Sequence, residues 1–287
     1  RIRELIGVEP YKYQFTLDEF FDYVHEEDKA LVVAHVRNYI SQCVDEPTEY
    51  YYRILRKEGD IRKLAANATL LFDGDKPTTV VGVNYDITEA ELARTQSMYR
   101  SELESLLVSL SVDLIKNRYV ALDQVINNAL QKAGEFVEAD RAYRFEYDFD
   151  NETTSNTHEW CSDGITPEKD NLQDIPINEI RLWVTAHRAG LPFFIKSVQE
   201  LPKDHSLREI LEPQGIRSLV TIPLMNEDNC VGFIGFDAVK HERLWTDVDL
   251  TLLRLLADLL VNADVRIQHE AVIGAQNLAL TNARAHA

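Results

Sequence analysis

Two apolar runs separated by a short polar turn constrain the fold of this chain more than any other feature. Residues 218–225 form a β-branched, apolar run, residues 230–239 form a second one, and a polar segment lies between them. Such a pattern predicts two antiparallel strands joined by a tight turn. Gly232 and Gly235 interrupt the second strand, which indicates a bulge or the close approach of another backbone.

A long helix is predicted directly after this hairpin. Thr246 and Asp249 stand three residues apart, which is the spacing of a capping box at a helix N-terminus. Apolar residues then recur at intervals typical of a helix: Val248, Leu252, Leu253, Leu256, Leu259, Leu260 and Ala263. The pattern continues more weakly through Ile267 to Leu278. Because a projecting helix cannot bury its apolar stripe alone, we expect it to pair with a second copy or to lead into an effector domain beyond Ala287.

Three segments of this region, residues 215–224, 232–236 and 245–247, resemble the closing half of a GAF domain. Residues 156–161 and 175–176 resemble a GAF subclass that is common in bacterial multi-domain sensors. Many of those sensors end in diguanylate cyclase or phosphodiesterase domains. The resemblance therefore implies a domain that binds a small molecule or relays a signal, with a possible connection to cyclic-di-GMP signalling.

The GAF-like domain is predicted to span residues 117–263. Its first strand opens at Asp140 and places alternate aromatic residues on one face, and residues 153–161 form the antiparallel partner strand. We expect a ligand pocket between the sheet and its covering helices, with candidate wall residues Tyr143, Phe145, His158, Trp160, Trp183, His187 and Ile222. The alternative is that these side chains simply fill the core.

The N-terminal part of the chain predicts a different small domain. Helical spacing over residues 28–41 is followed by three predicted strands, at residues 49–55, 61–71 and 79–86. Three motifs, at residues 24–28, 56–62 and 82–88, resemble the back two-thirds of a PAS domain. A complete PAS domain has two more strands before Arg1, so we expect these to have been cut away, to precede the given sequence, or to come from a partner chain.

A helical connector is predicted between the two domains. Thr88 and Glu91 have capping-box spacing, and apolar residues follow at intervals of three or four. This spacing is close to the seam of a coiled coil, and the PAS-like ending implies a parallel dimeric signalling helix. The candidate dimerisation residues of both long helices are Leu92, Tyr99, Leu103, Leu106, Leu110, Leu253, Leu256, Leu260 and Ile267. The alternative is a helix that lies on its neighbouring domain.

The predicted fold class is α+β, with two domains that each have a central antiparallel sheet covered by helices. The PAS-like domain takes residues 1–88 and the connector residues 89–116. The GAF-like domain takes residues 117–263, and residues 264–287 form a helical extension. Long coiled-coil-like helices thus join and follow the two domains.

The composition narrows the choice of partners and compartment. A net charge of −18 disfavours contact with nucleic acid and with anionic membranes. Three widely spaced cysteines, with no Cys-x-x-Cys pair, disfavour a disulfide framework and a zinc site, which fits a reducing cytoplasm. No apolar run is long enough for a membrane span.

No catalytic signature is recognisable, so we expect neither catalytic residues nor a metal site, and the cofactor is left open. The preferred hypothesis is a non-catalytic sensory segment, acting as a homodimer that passes a ligand or upstream signal through its helices to an effector. One alternative is a receptor for a small metabolite bound in the GAF pocket. Another is a cysteine-dependent reductase of GAF fold, which would use Cys161 and Cys230.

Overall fold

A computed structural model describes residues 5–6, 17–41, 48–56, 58–74, 76–116 and 122–285. The chain divides into two compact units, residues 1–100 and residues 101–287. Each unit contains one antiparallel sheet together with helices, which confirms the predicted fold class. None of the helices in these described ranges is long and apolar enough to cross a membrane.

The first unit is a three-stranded sheet with helices on one face. Its elements are α1 (Leu17–Phe21), α2 (Glu26–Ser41), β1 (Thr48–Leu55), β2 (Ile61–Asp73) and β3 (Lys76–Asp86), and the strand order is β1-β2-β3. Alternate strand residues, among them Tyr52, Ile54 and Leu64, are buried in its core. Arg53 ties β1 to α2, because its guanidinium lies 2.6 Å from the Asp28 carboxylate. Residues 16–19 also have capping-box spacing, but residue 16 lies outside the described ranges.

Helix α3 (Thr88–Lys116) starts differently from the prediction. The Thr88 hydroxyl accepts a hydrogen bond from the Lys63 backbone amide at 2.8 Å, and the Asp86 carboxylate accepts from the Thr88 amide at 2.9 Å. Glu91 instead pairs with the Lys63 ammonium at 3.0 Å. The capping box predicted for Thr88 and Glu91 is therefore wrong, because strand β2 takes up both side chains.

The second unit is built around a six-stranded sheet of order β6-β5-β4-β9-β8-β7. Its elements are α4 (Leu122–Phe136), β4 (Arg141–Asp148), β5 (Thr153–Cys161), β6 (Ile175–Pro176), α5 (Arg181–Arg188), β7 (Phe193–Ile195), α6 (Ser206–Leu211), β8 (Ser218–Asn226), β9 (Asn229–Ala238) and α7 (Asp247–Ala285). Two short 3-10 segments, Lys169–Asn171 and Ile177–Ile180, flank β6.

The predicted hairpin of residues 218–239 is present as β8 and β9. Gly232 is required by close approach, because a Cβ atom there would collide with the Phe145 carbonyl of β4. At Gly235 a Cβ would come within 2.7 Å of the Tyr143 hydroxyl. The capping box of α7 is confirmed, since the Thr246 amide donates to the Asp249 carboxylate at 2.7 Å. Sequence therefore located the strand glycines and the start of α7 correctly.

Alternate residues of the strands face two different layers, which we name the helix face and the cavity face. The helix face consists of Ala142, Val220, Ile222, Leu224, Ile234 and Phe236, and it packs on α4, α7 and the end of α3. The cavity face consists of Tyr143, Phe145, Leu219 and Phe233, and it packs on α5 and α6. Each face thus has its own hydrophobic core.

Four of the predicted dimerisation residues belong to the core of the helix face. Leu110, Leu253, Leu256 and Leu260 are fully buried within the second unit. Leu103 and Leu106 pack partly against the same core. The alternative in which the helix lies on its own domain therefore describes this part of α3. The buried leucines of α3 and α7 belong to one core with the sheet, so these four are not surface residues.

The remaining candidates of that set lie outside this core. Leu92 is 58% exposed and Ile267 is 37% exposed, and Tyr99 is half-buried. A dimer that uses the predicted helices would have to rely on such positions.

Candidate functional site

The second unit contains a cavity of about 40 Å³ between the cavity face and its covering segments. Its apolar walls come from strands, from α5 and α6, and from residues near β6: Phe145, Leu172, Ile175, Ile180, Trp183, Ile210, Leu211, Ile216 and Phe233. A volume of this size holds one to about three water molecules. The cavity is therefore narrow in this conformation.

A buried charged cluster forms the polar end of the cavity. The side chains of Arg141, Glu159 and Asp237 are each 2% exposed. The Arg141 guanidinium donates to the Asp237 carboxylate at 3.2 Å, and the Tyr143 hydroxyl donates to the other carboxylate oxygen at 2.8 Å. Strand pairing produces this cluster, because Arg141 stands opposite Cys161 on one side and Asp237 on the other.

The same cluster fixes the loop that closes the cavity, residues 162–174. The Glu159 carboxylate accepts hydrogen bonds from the backbone amides of Glu168 at 2.8 Å and Lys169 at 3.0 Å. Arg141 donates to the Thr166 carbonyl at 3.0 Å. Any change at the charged cluster would therefore alter the hydrogen bonds that hold this loop in place.

Burial determines the protonation behaviour of the cluster. Desolvation raises the pKa of Asp237 to about 6, against the lowering effect of Arg141 and the Tyr143 hydroxyl. Desolvation works to lower the pKa of Arg141, but the attraction of Asp237 and Glu159 leaves it raised. Burial also raises the pKa of Tyr143 well above its ordinary value. Arg141 and Tyr143 are therefore hydrogen-bond donors throughout the physiological range.

Two donors at the cavity have no acceptor within the described part of the chain. The Arg141 Nε atom is buried and lies 3.6 Å from the nearest Glu159 oxygen, which is too far for a hydrogen bond. The indole Nε1 of Trp183 is also buried without a partner. Both residues line the cavity. Buried donors are nearly always satisfied in folded proteins, so these two atoms are available to an acceptor that enters the cavity.

Three of the seven predicted pocket residues line this cavity: Tyr143, Phe145 and Trp183. His187 belongs to the same face but anchors α5 to the sheet. Its ring nitrogens lie 2.8 Å from the Tyr147 hydroxyl and 3.0 Å from the Thr221 hydroxyl. Burial lowers the pKa of His187 to about 3, so the ring is neutral.

The other three predicted pocket residues, His158, Trp160 and Ile222, lie on the helix face. His158 stands opposite Arg144, and Trp160 stands opposite Ala142. A bulge between Arg144 and Phe145 shifts the register, so that Asn156 pairs with Phe145 while Thr157 is left over. Simple alternation from Asn156 thus assigns the wrong face beyond the bulge.

Ile222 is misassigned for a different reason. Strand β8 is buried on both faces over seven consecutive residues, so its sequence shows no alternation. The charged cluster was missed as well. Arg141 lies two residues before Tyr143, and strand periodicity would have placed it on the same face.

The helix face carries its own polar connection, at the point where α7 leaves the sheet. Arg144 is almost fully buried and pairs with Asp264 of α7 at 2.6 Å. Arg266 donates to the Leu114 carbonyl at the end of α3. His158 lies 3.2 Å from the Asp123 carboxylate of α4. Strand β4 therefore presents Phe145 to the cavity and the adjacent Arg144 to the outgoing helix.

The two described cysteines are free thiols at distant positions. Cys161 and Asp237 both stand opposite Arg141 in the sheet. Cys230 lies seven residues before Asp237 on β9, which is roughly 23 Å away at about 3.3 Å per residue. Burial raises the pKa of each thiol to about 11. Arg141 stands opposite Cys161 and lowers the pKa of its thiol, but burial outweighs that effect. A cysteine-dependent reductase has no support from this arrangement.

Comparison with known proteins identifies both units. Residues 1–84 match the family described as PAS fold, and residues 121–263 match the family described as GAF domain. A curated relative, the methanogenesis regulatory histidine kinase FilI of Methanothrix harundinacea, is 34% identical over 212 residues, which cover 72% of this chain and 23% of that kinase. The chain thus spans about a quarter of the length of that relative.

Solved structures agree on the fold. The phycocyanobilin-bound GAF domain of a cyanobacterial phytochrome is 16% identical, with a TM-score of 0.51 over 58% of this chain and 96% of that one. The bacteriophytochrome RpBphP3 of the photosynthetic bacterium R. palustris is 13% identical, with a TM-score of 0.50 over 89% of this chain and 52% of that one. At such identities these similarities concern the fold alone.

Proposed function

Because the chain is a PAS fold followed by a GAF domain, the sensor segment of a signalling protein, we propose that it is a non-catalytic sensory module that binds a small ligand in the GAF cavity. It would relay occupancy through α7 to an effector beyond Ala287. The observation that carries this proposal is the cavity itself, with its apolar walls and a buried charged cluster at one end. Apolar walls with a few fixed polar groups are typical of small-molecule sites.

The relay is supported by the position of β4 between cavity and helix. Phe145 lines the cavity, and Arg144 beside it holds Asp264 of α7. A ligand that moves β4 near Phe145, opposite the bulge of β5, would therefore alter the attachment of α7. Such a relay requires two arrangements that differ by only a few kcal/mol.

The proposed effector is of histidine kinase type, because the curated relative is a regulatory histidine kinase. The cyclic-di-GMP connection expected from the resemblance has no counterpart in that relative. We retain a homodimer in the proposal, now resting on exposed positions such as Leu92 and Ile267 rather than on the buried leucines. Free thiols at Cys161 and Cys230 agree with a cytoplasmic location.

A bilin chromophore, as in the phytochrome relative, does not fit the residues present. A cavity of about 40 Å³ is far below the ~300 Å³ or more of drug-sized sites. Neither Cys161 nor Cys230 is among its lining residues. Both thiols also have raised pKa values, which disfavours the thiolate needed for covalent attachment. We therefore propose a smaller ligand.

Ligand binding is tested by a thermal-shift screen of a metabolite library against the intact chain. We expect at least one compound to raise the Tm of the wild type. Ile210→Phe extends a ring from α6 into the cavity and should abolish that shift. Leu182→Phe is the matched control, because Leu182 is an exposed residue of α5. A library without any hit, together with native mass spectra that show only the bare chain, would overturn the proposal.

The relay is tested separately by hydrogen exchange of the α7 backbone with and without the ligand found in that screen. We expect the ligand to change exchange around Asp264. Asp264→Asn removes the charge that Arg144 holds and should weaken this change while ligand binding itself persists. Unchanged exchange in the wild type at saturating ligand would contradict relay through α7.

A further inference from the structure

We infer that the cavity selects a small, neutral, mostly apolar compound with one hydrogen-bond acceptor, such as a carbonyl oxygen or a ring nitrogen, in preference to an anion or a cation. This inference rests on the proposed ligand-binding function and adds the chemical class of the ligand. It depends on which polar atoms of the cavity are already paired.

The unpaired atoms at the cavity are donors. Arg141 Nε, 3.6 Å from the Glu159 carboxylate, and Trp183 Nε1 are both buried without a hydrogen-bond acceptor among the described residues, and neither group can accept a hydrogen bond. A buried donor without an acceptor destabilises the folded state. A ligand that supplies an acceptor to one or both of them would recover that loss on binding. A ligand that offers only donors would leave both unpaired.

The acceptors of the charged cluster are already engaged. One oxygen of Asp237 accepts from Tyr143 and the other accepts from Arg141. One oxygen of Glu159 accepts from two backbone amides of the closing loop. A cationic ligand would therefore have to displace internal partners before it could pair with either carboxylate.

The balance of charge also disfavours an anion. The cluster has one guanidinium, Arg141, against the two carboxylates of Glu159 and Asp237, all nearly inaccessible to solvent. A ligand carboxylate would meet two like charges at short range in a weakly screened interior. A neutral acceptor meets the donors without that repulsion.

The size and the walls of the cavity further restrict the size and the polarity of the ligand. Phe145, Trp183 and Phe233 provide aromatic walls, and the present volume of about 40 Å³ admits only a compact compound. A compound with a six-membered ring would require the closing loop, residues 162–174, to move outward.

Two isosteric series of compounds and one pair of uncharged compounds test the proposed ligand class. Acetamide, acetate and acetamidinium share one shape at three charges, and benzamide, benzoate and benzamidinium repeat the comparison with a ring. Acetophenone and α-methylstyrene differ only in the presence of the carbonyl acceptor. Binding is followed through the indole N–H resonance of Trp183 in the ¹⁵N-labelled chain of residues 1–287.

Trp245 is an internal control in the same spectrum. Its indole Nε1 is also buried without a partner, but its ring stacks on Phe236 of the helix face, 6.1 Å between centroids. We expect amides and acetophenone to shift the Trp183 resonance and leave that of Trp245 in place. The amides should bind at least about 10-fold more tightly than their charged isosteres.

Trp183→Phe removes the indole N–H while keeping an aromatic wall. We expect this variant to bind acetophenone about 3- to 10-fold more weakly, as the loss of one hydrogen bond predicts, and α-methylstyrene within about 2-fold of the wild type. Trp245→Phe is the matched control and should bind both compounds as the wild type does. Binding by the variants is measured through their thermal shifts.

The two levels of the proposal fail differently. Tightest binding by an anion or a cation, or equal binding of α-methylstyrene and acetophenone, would overturn the ligand class and leave the sensory function standing. The class is equally overturned if no compound of the series shifts Trp183 while the library screen yields a ligand. If both experiments find no ligand, the cavity holds water only and both proposals are wrong.

Discussion

The two faces of the six-stranded sheet are made from alternate residues of the same strands, yet they differ in chemistry. The helix face is mostly aliphatic and is closed by long helices that hold Leu253, Leu256 and Leu260. The cavity face is rich in aromatic rings and encloses the charges of Arg141 and Asp237 beside a free volume. One face is thus suited to stability and the other to recognition, and strand alternation keeps the two separate.

The largest expected effect comes from breaking the helix face. Leu256→Ala should lower the free energy of unfolding by about 3–4 kcal/mol, because Leu256 is fully buried between α7 and the sheet. Leu255→Ala, at an exposed neighbouring position, should cost about 1 kcal/mol or less. Chemical denaturation of both variants provides the measurement. Equal losses would show that α7 does not pack on the sheet as described.

A second prediction concerns acid sensitivity and the cavity face. The pKa of His187 is about 3 in the folded state and ~6.5 when unfolded, so the unfolded chain binds the proton first as pH falls. This residue therefore contributes stability that is complete above pH ~6.5 and lost progressively below it. Between pH 6.5 and 4.5 the loss is about 2 kcal/mol.

His187→Gln should remove this loss, so the variant should be less acid-sensitive than the wild type in that range. The difference between the two chains cancels the opposite trend expected from Asp237, whose raised pKa lowers stability as pH rises through about 6. Unfolding free energies measured at pH 6.5, 5.5 and 4.5 test this point. Parallel curves would indicate that His187 is protonated in the folded state.

A third prediction concerns the close contact between the backbones of β4 and β9. Gly232→Ala should destabilise the second unit by about 2–3 kcal/mol, because the new methyl group meets the Phe145 carbonyl on the neighbouring strand. Gly274→Ala is the matched control. Gly274 lies in α7 with no heavy atom within 4 Å of the added Cβ, so this change should stabilise by up to about 1 kcal/mol. Thermal unfolding of both variants would show opposite signs.

The smallest expected effect concerns the ion pair between Arg144 and Asp264, which links β4 to α7. Asp264→Asn should cost about 1–2 kcal/mol, between the values for exposed and fully buried ion pairs, because Arg144 is buried while Asp264 is partly exposed. Glu212→Gln disrupts the more exposed pair with Arg208 and should have a smaller effect. Urea denaturation compares them. A larger loss for Glu212→Gln would mean that the Arg144 pair contributes little to holding α7.

Sequence alone located most of the elements, because their signals are local. The hairpin of β8 and β9, its glycines and the Thr246 cap all depend on residues that are neighbours along the chain. The face assignment of His158 and Trp160 could not be obtained in this way, since it depends on a bulge that exists only when β5 pairs with β4. The domain limits stay a prediction, as does dimerisation.

The leucine spacing of α3 and α7 illustrates a second limit. A period of three to four residues identifies an amphipathic helix but does not say which surface covers its apolar stripe. Leu110 and Leu260 belong to one buried core within a single chain, so the same pattern that suggested a seam between two copies describes an intramolecular core. The charged cluster was missed because its members lie nearly 100 residues apart, at Arg141 and Asp237.

The extra residue in β5, Thr157, has a consequence for anyone who transfers residues between related sensors. Deleting it would move every residue that follows in β5 to the opposite face of the sheet. Trp160 would then face the cavity, and its neighbours in β5 would face the helices. Ligand preference in such proteins can thus change by a single insertion or deletion, without any substitution among the side chains that touch the ligand. Alignments that ignore strand kinks would then compare a recognition residue in one protein with a packing residue in another.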